Sequence, residues 1–249
     1  MAVESIRRQA EFPLLSVVVP TYNEAANIGP FLEALRAGLD SVSTGGYEVI
    51  VVDDESPDGT GEVAAGISAD WHNLRVVRRT GERGLASAVV RGWQIARGDF
   101  LATINADFQH PPSMLPEMLR KMGNADLVVA TRYAAEGSVG GFPLHRQFLS
   151  TFARHVGVFL APKVFRKVTD PLSGCFMFRR QAIENIELRP TGFKTLIEIL
   201  ARGRVANVVE CGYTMQKRRS GRSNVRLRDW FDYLGQLGRI RRELHRRQP

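Results

Sequence analysis

The chain alternates between continuous apolar runs and amphipathic stretches, and this alternation sets its class before any single residue is weighed. Leu14–Pro20 (LLSVVVP) is apolar at nearly every position, as a strand covered on both faces should be. From Asn27 to Leu39 the apolar residues recur at helical spacing, with Ile28, Phe31, Leu32, Leu35 and Leu39 on one side. The pattern then predicts strand Tyr47–Asp53, helix Gly59–Ile67, strand Leu74–Arg79, a small-residue helix Gly84–Ala96, strand Asp99–Ile104, helix Ser113–Met122 and strand Ala125–Thr131. Strands alternating with helices imply a parallel, right-handed, doubly wound sheet.

Beyond Thr131 the pattern loosens. Arg132–Pro143 is Gly-rich and reads as a mobile loop, and Leu144–Val168 as one long helix that is both apolar and basic. Cys175–Arg180 reads as a short strand, Gly192–Gly203 as a helix and Val205–Tyr213 as a strand. A basic loop, Lys217–Asn224, leads into a basic amphipathic helix that closes the chain. No repeat or linker interrupts it, so one domain is expected.

Composition sharpens this picture in three ways. With 249 residues, 44% hydrophobic, the chain can bury a full core. Its apolar runs are strand-sized, far short of the roughly 18 residues of a membrane span, and no signal-peptide pattern opens it. Cys175 and Cys211 lack paired spacing and read as reduced core residues of a cytosolic protein. The net charge of +8 is concentrated from Gln216 to Pro249, which carries eleven Lys/Arg against three Asp/Glu. A basic end on a neutral body suggests a polyanionic surface as partner.

Open parallel sheets bind ligands beyond the carboxyl ends of their strands. Three such ends here are polar: Pro20–Glu24 (PTYNE), Asp53–Thr60 (DDESPDGT) and Asn105–Gln109 (NADFQ). A GxGxxG turn and a GxxxxGK[ST] loop are both missing. Carboxylates at strand ends can instead accept bonds from ribose or base, or hold a divalent cation against a diphosphate.

Taken together, VVVPTYNE, VVDDESPDGT, RGLASAVVRG, NADFQHPP, TRY, DPLSGCFMFRR and GFKTLIEIL resemble the family 2 glycosyltransferases of the GT-A fold, and among them the polyprenol-phosphate (dolichol-phosphate) mannose synthases. The likeness runs from about Leu15 to about Ser223. It implies a Rossmann-like, mostly parallel domain with a nucleotide-sugar-binding half (14–131), an acceptor half (132–224) and the basic C-terminal helix (225–249). Pro20, Tyr22, Glu24, Val52, Asp53 and Asp54 are implied to line the donor pocket, with Asn105, Ala106 and Lys194. Asn105, Asp107 and Gln109 are implied to hold Mg²⁺ or Mn²⁺. Arg132, Arg146, Ser150 and Arg218 are implied to meet the acceptor phosphate, with Asp107, Arg132 and Arg218 at the centre of catalysis.

The implied reaction moves a hexose, first choice mannose from GDP-mannose, onto a polyprenyl monophosphate with inversion; a UDP-sugar is the alternative donor. A nucleoside-diphosphate leaving group calls for a metal and Arg/Lys. The acceptor, with a second pKa of about 6, is largely deprotonated and needs cations rather than a general base. Two positions depart from the family pattern: Asn105 stands where Asp is usual, and Asn224 where Lys is usual. They keep open a weakened metal site or a non-catalytic lipid-phosphate-binding subunit. Phe148–Val168 and Val225–Arg247 are the segments able to reach a membrane surface from its cytoplasmic face, alone or with a separate anchoring protein. No nucleic-acid motif accompanies the basic end, so nucleic acid is not expected as a partner.

Overall fold

The computed structural model describes residues 14–41, 46–140, 144–189, 191, 194–221 and 227–246, without the side chains of 144–146 and 227–229. Seven strands form one sheet: β1 (Leu15–Thr21), β2 (Tyr47–Asp53), β3 (Leu74–Arg78), β4 (Phe100–Thr103), β5 (Leu127–Thr131), β6 (Phe176–Arg179) and β7 (Val208–Gly212). Their spatial order is β3-β2-β1-β4-β6-β5-β7. All run parallel except β6, which lies antiparallel between β4 and β5.

The helices are α1 (Ala25–Asp40), α2 (Thr60–Ser68), α3 (Leu85–Ile95), α4 (Leu115–Lys121), α5 (Leu144–Leu160), α6 (Pro162–Phe165), α7 (Thr195–Arg202) and α8 (Leu227–Arg246). They cover both faces of the sheet, which is why the strands read as unbroken apolar runs. In β1 the period-two alternation sends Val17 and Val19 to one core, with Phe31 and Leu35 of α1 and Met118 of α4. Val18 faces the other core, with Trp93 of α3, Leu196 and Ile199 of α7, and Tyr233 and Leu237 of α8. Cys175 and Cys211 are buried and free.

One expected element is divided. The helical pattern of Leu144–Val168 breaks between α5 and α6 at Ala161. Pro162 has no N–H to continue the ladder and starts α6 instead.

The β1–α1 and β2–α2 loops are tied together by one carboxylate. Asp58 accepts Ala25 N–H (3.0 Å), the first residue of α1, and Thr60 N–H (3.1 Å), the first of α2. It thereby satisfies an orphan donor at two helix starts. Thr60 Oγ1 in turn accepts Glu24 N–H at 2.9 Å, and Ser56 Oγ accepts Asn23 N–H at 3.0 Å.

Candidate active site

The loops leaving β1, β2 and β4 meet at the carboxyl edge of the sheet. Each contains a non-glycine residue with positive φ: Asn23 (58°), Glu55 (52°) and Phe108 (61°). Such backbone is uncommon outside glycine and concentrates where a fold aims side chains at a site. Phe108 is fixed by an edge-on contact with Phe31 of α1, centroids 5.4 Å apart, and Arg219 lies over its ring.

Asp53 and Asp54, side by side in sequence, serve different loops. Asp53 is fully buried and accepts Thr21 Oγ1 (3.1 Å), Ser56 N–H (3.0 Å) and Ser56 Oγ (2.5 Å). Asp54 binds the buried guanidinium of Arg79 through Nε (2.7 Å) and Nη2, and its other oxygen accepts Gly84 N–H at 2.8 Å. Both carboxylates therefore act inside the protein, holding the β2–α2 and β3–α3 loops. Arg79 escaped the sequence reading because, as the second of two arginines at the end of β3, it looked like a strand tail.

Arg218 joins the β1 and β4 loops. Its guanidinium pairs with Glu24 and reaches Asp107 Oδ2 at 3.3 Å, while its Nε donates to Ser220 O at 2.9 Å. Asn27 adds a bond to Glu24 Oε2 (2.6 Å) and another to Ser220 O (3.2 Å). Burial raises the pKa of Glu24, against the bonds from Asn27 and Arg218. Burial likewise raises that of Asp107, against Gln109 N–H and Arg218. Burial penalises the charge on both carboxylates, and the Arg218 guanidinium between them offsets part of that cost.

Among the described residues, no three Asp, Glu, His or Cys side chains converge as a metal cluster. The expected donors are instead one carboxylate, Asp107, and the amide oxygens of Asn105 and Gln109, all hard oxygens suited to Mg²⁺ or Mn²⁺. Asn105 lies against Gly174 of the DPLSG segment: a Cβ there would sit 2.9 Å from the Asn105 amide nitrogen. The glycine keeps that amide at the end of β4.

A second charged group lies at the end of β5. Arg132 follows β5; its Nε donates to Asp170 Oδ2 (3.0 Å) and its Nη2 to Ser150 Oγ (3.4 Å). Lys194 donates to Leu172 O at 2.7 Å and feels both Asp170 and Arg132. Burial pushes its pKa down to about 8, with Asp170 opposing and Arg132 reinforcing. Arg132 and Lys194 thus both face the carboxylate of Asp170, a cluster of cations that suits an anion. His110 connects this group to Asp107. Its Nε2 bonds Tyr213 OH at 2.9 Å, and burial with Arg132 and Lys194 holds its pKa at about 3. It is a neutral wall of the site.

The structure therefore gathers Glu24, Asp107 and Arg218 in one group and Arg132, Ser150 and Lys194 in another. Pro20, Val52 and Ala106 are buried backbone positions beside the first group, and Tyr22 stacks under Arg83 at 5.0 Å. The side chain of Arg146, and Asn224 entirely, lie outside the described residues.

Comparison with known proteins fits this geometry. The family description "Glycosyl transferase family 2" matches residues 16–187, more than half of the chain. The chain belongs to glycosyl transferase family 2. It is 40% identical over 228 residues to a dolichol-phosphate mannosyltransferase of Pyrococcus furiosus, across 91% of this chain and 63% of that protein. It is 34% identical to the dolichol-phosphate mannosyltransferase of Saccharomyces cerevisiae, across 89% of this chain and 85% of that one. The chain thus spans less than two thirds of the archaeal relative's length. In fold it is similar to the glucosyl-3-phosphoglycerate synthase of Mycobacterium tuberculosis, solved with Mn²⁺, UDP and glucosyl-3-phosphoglycerate (TM-score 0.63, 21% identity, 96% of this chain and 80% of that chain). The sheet with its single reversed strand is the GT-A architecture of the family.

Proposed function

We propose that this family 2 glycosyltransferase moves a hexose from a nucleotide sugar to a polyprenyl monophosphate, with GDP-mannose as first-choice donor and inversion at the anomeric carbon. The observation that carries the proposal is the pairing of two charge stations along one edge of the sheet. Glu24 and Asp107 hold a cation, and Arg132 with Lys194 gathers positive charge for an anion. The similarity to mannosyltransferases acting on dolichol phosphate supports that choice of acceptor.

Asp107, with Asn105 and Gln109, would hold Mg²⁺ or Mn²⁺, which when bound neutralises the donor diphosphate. Asp53 and Asp54 position the donor loops through Ser56, Arg79 and Gly84. Arg218, here bonded to Glu24 and Asp107, is placed to turn to a phosphate. Arg132, Ser150 and Lys194, with Arg146, receive the acceptor. An acceptor oxygen forms the new bond to the anomeric carbon as the bond to the diphosphate breaks, and the nucleoside diphosphate leaves with the electron pair. No proton moves, which suits a site whose one buried histidine stays neutral.

The acceptor lives in a bilayer, and α5 offers a surface for one. Phe148 and Phe159 are 75% and 79% exposed, and Leu149 and Phe152 are exposed between them. Phe231 and Leu234 of the adjacent α8 are exposed too, whereas Tyr233, Leu237 and Ile240 pack inward. Those three side chains therefore serve the core rather than a lipid surface. No helix among the described residues is long and apolar enough to cross a membrane. Our reading is peripheral docking at the cytoplasmic face, with a nucleotide sugar and a lipid phosphate rather than nucleic acid as partners.

The test is a transfer assay with a short polyprenyl phosphate, GDP-mannose or UDP-glucose, and Mg²⁺, Mn²⁺ or EDTA, read by mass of the lipid. A mannosylated lipid phosphate that disappears with EDTA is the expected result. Product from UDP-glucose alone would replace the donor assignment. Lipid binding without product from either donor would make Asn105 the mark of a non-catalytic subunit.

A further inference from the structure

A cleft of about 460 Å³ opens beside α5 and α6, with Arg154, Arg166, Thr169 and Glu210 among the residues that line it. The mechanism above uses none of these residues. Its charges are unbalanced. Glu210, its one carboxylate, is occupied: Oε1 accepts Thr169 N–H (2.6 Å) and Thr169 Oγ1 (2.8 Å). Lys167 donates to Leu200 O at 2.9 Å. Arg154 Nε is enclosed yet has no hydrogen-bond partner among the described residues, and neither Arg154 nor Arg166 is in an ion pair with any of them. The cleft therefore holds two guanidinium charges, Arg154 and Arg166, with no carboxylate of their own among the described residues, a setting that an anionic ligand would balance.

The position of the cleft selects the ligand. Residues 148, 152, 155 and 159 share one face of α5, which presents the exposed Phe148, Phe152 and Phe159 with His155. Arg154 and Val158, which line the cleft, lie on the flank of that face. A bilayer touching the phenylalanines would bring its headgroups level with the cleft mouth. Arginine's planar fork matches phosphate oxygens better than a point charge does.

We propose that this cleft binds the headgroup phosphate of an anionic phospholipid, separately from the acceptor phosphate. The idea rests on the membrane-docking reading above and deepens it. The phenylalanines supply attachment; the cleft supplies preference for anionic lipid and fixes the tilt of the domain. Thr169, which lines it, directly precedes Asp170, the partner of Arg132, so a seated headgroup would lie one residue of backbone from the acceptor group.

The experiment is vesicle flotation of the full chain at fixed salt, with phosphatidylcholine vesicles or the same vesicles containing phosphatidylglycerol, and no polyprenyl phosphate. Three double variants are compared: Arg154→Gln with Arg166→Gln in the cleft, Phe152→Ser with Phe159→Ser on the stripe, and Arg241→Gln with Arg242→Gln on α8 as a charge-matched control. The wild type should prefer anionic vesicles by about tenfold. The cleft pair should lose most of that preference and keep its binding to neutral vesicles. The stripe pair should lose binding to both, and the α8 pair should keep the preference. Arg166→Glu alone, at an exposed position, should reduce the preference as well, which guards against a misfolded double variant. An α8 pair that loses as much as the cleft pair would mean diffuse attraction and overturn the cleft. Equal wild-type binding to both vesicles would overturn the cleft while leaving membrane docking intact. Binding to neither would overturn both.

Discussion

Asp107 is costly to keep charged: burial raises its pKa, and its compensation comes from one guanidinium and one backbone N–H. Asp107→Asn removes that cost along with the anionic ligand. Transfer should fall by about 100-fold or more, while the melting temperature stays level or rises. A clear drop in melting temperature would show that Asp107 holds the loop together. Asn105→Asp adds a charge at a position where the side chain already fits against Gly174. The Mn²⁺ concentration for half-maximal activity should fall by roughly tenfold; no change would place Asn105 away from the metal. Lys194 gives a pH signature. Its pKa of about 8 means that it is protonated below that value and neutral above it. The KM for the acceptor should rise as pH passes through 8, and Lys194→Arg, which stays protonated, should remove the rise. A wild-type acceptor KM that stays flat across pH 8 would take Lys194 out of acceptor binding.

At the scale of elements, the decisive joints are between loops and helix starts. Asp58 caps α1 and α2 at once, and the bonds from Thr60 and Ala25 hold its pKa low although burial opposes them. Asp58→Ala should cost about 1–2 kcal/mol in urea unfolding. Its contribution is present above the ordinary carboxylate pKa and is lost as acid protonates the group. Most elements were legible because covered strands and amphipathic helices carry opposite periodicities: β1 to β5 and α1 to α4 lie where the apolar spacing put them. The α5–α6 break was not, because Val164, Phe165 and Val168 keep the apolar spacing across Pro162. The direction of β6 was hidden for another reason. A four-residue strand, apolar on both faces, reads the same either way. At the candidate site, PTYNE, DDESPDGT and NADFQ lie together at the carboxyl edge of the sheet, as their strand-end positions implied. The bonds from Asp54 to Arg79 and from Arg218 to Glu24 were out of reach, since they join residues far apart in sequence.

For the whole molecule, the reversed strand has a consequence for how the chain reaches its final form. β4 and β5 are made early, yet the space between them is filled by residues 176–179, which come later. While the ribosome is still short of that point, the inner edges of β4 and β5 are open and apolar. Unpaired edges of this kind recruit other chains. A fragment ending at residue 140 should therefore be recovered as aggregate, and adding residues 141–189 should shift it toward soluble material, as centrifugation of the two products would show. Equal solubility would mean that the two edges find each other without β6. The strand that fills this gap is also the one that seats Gly174 beside the β4 loop. Competence for ligand should thus arrive late in synthesis, and a nascent chain would stay inert until its sheet is closed.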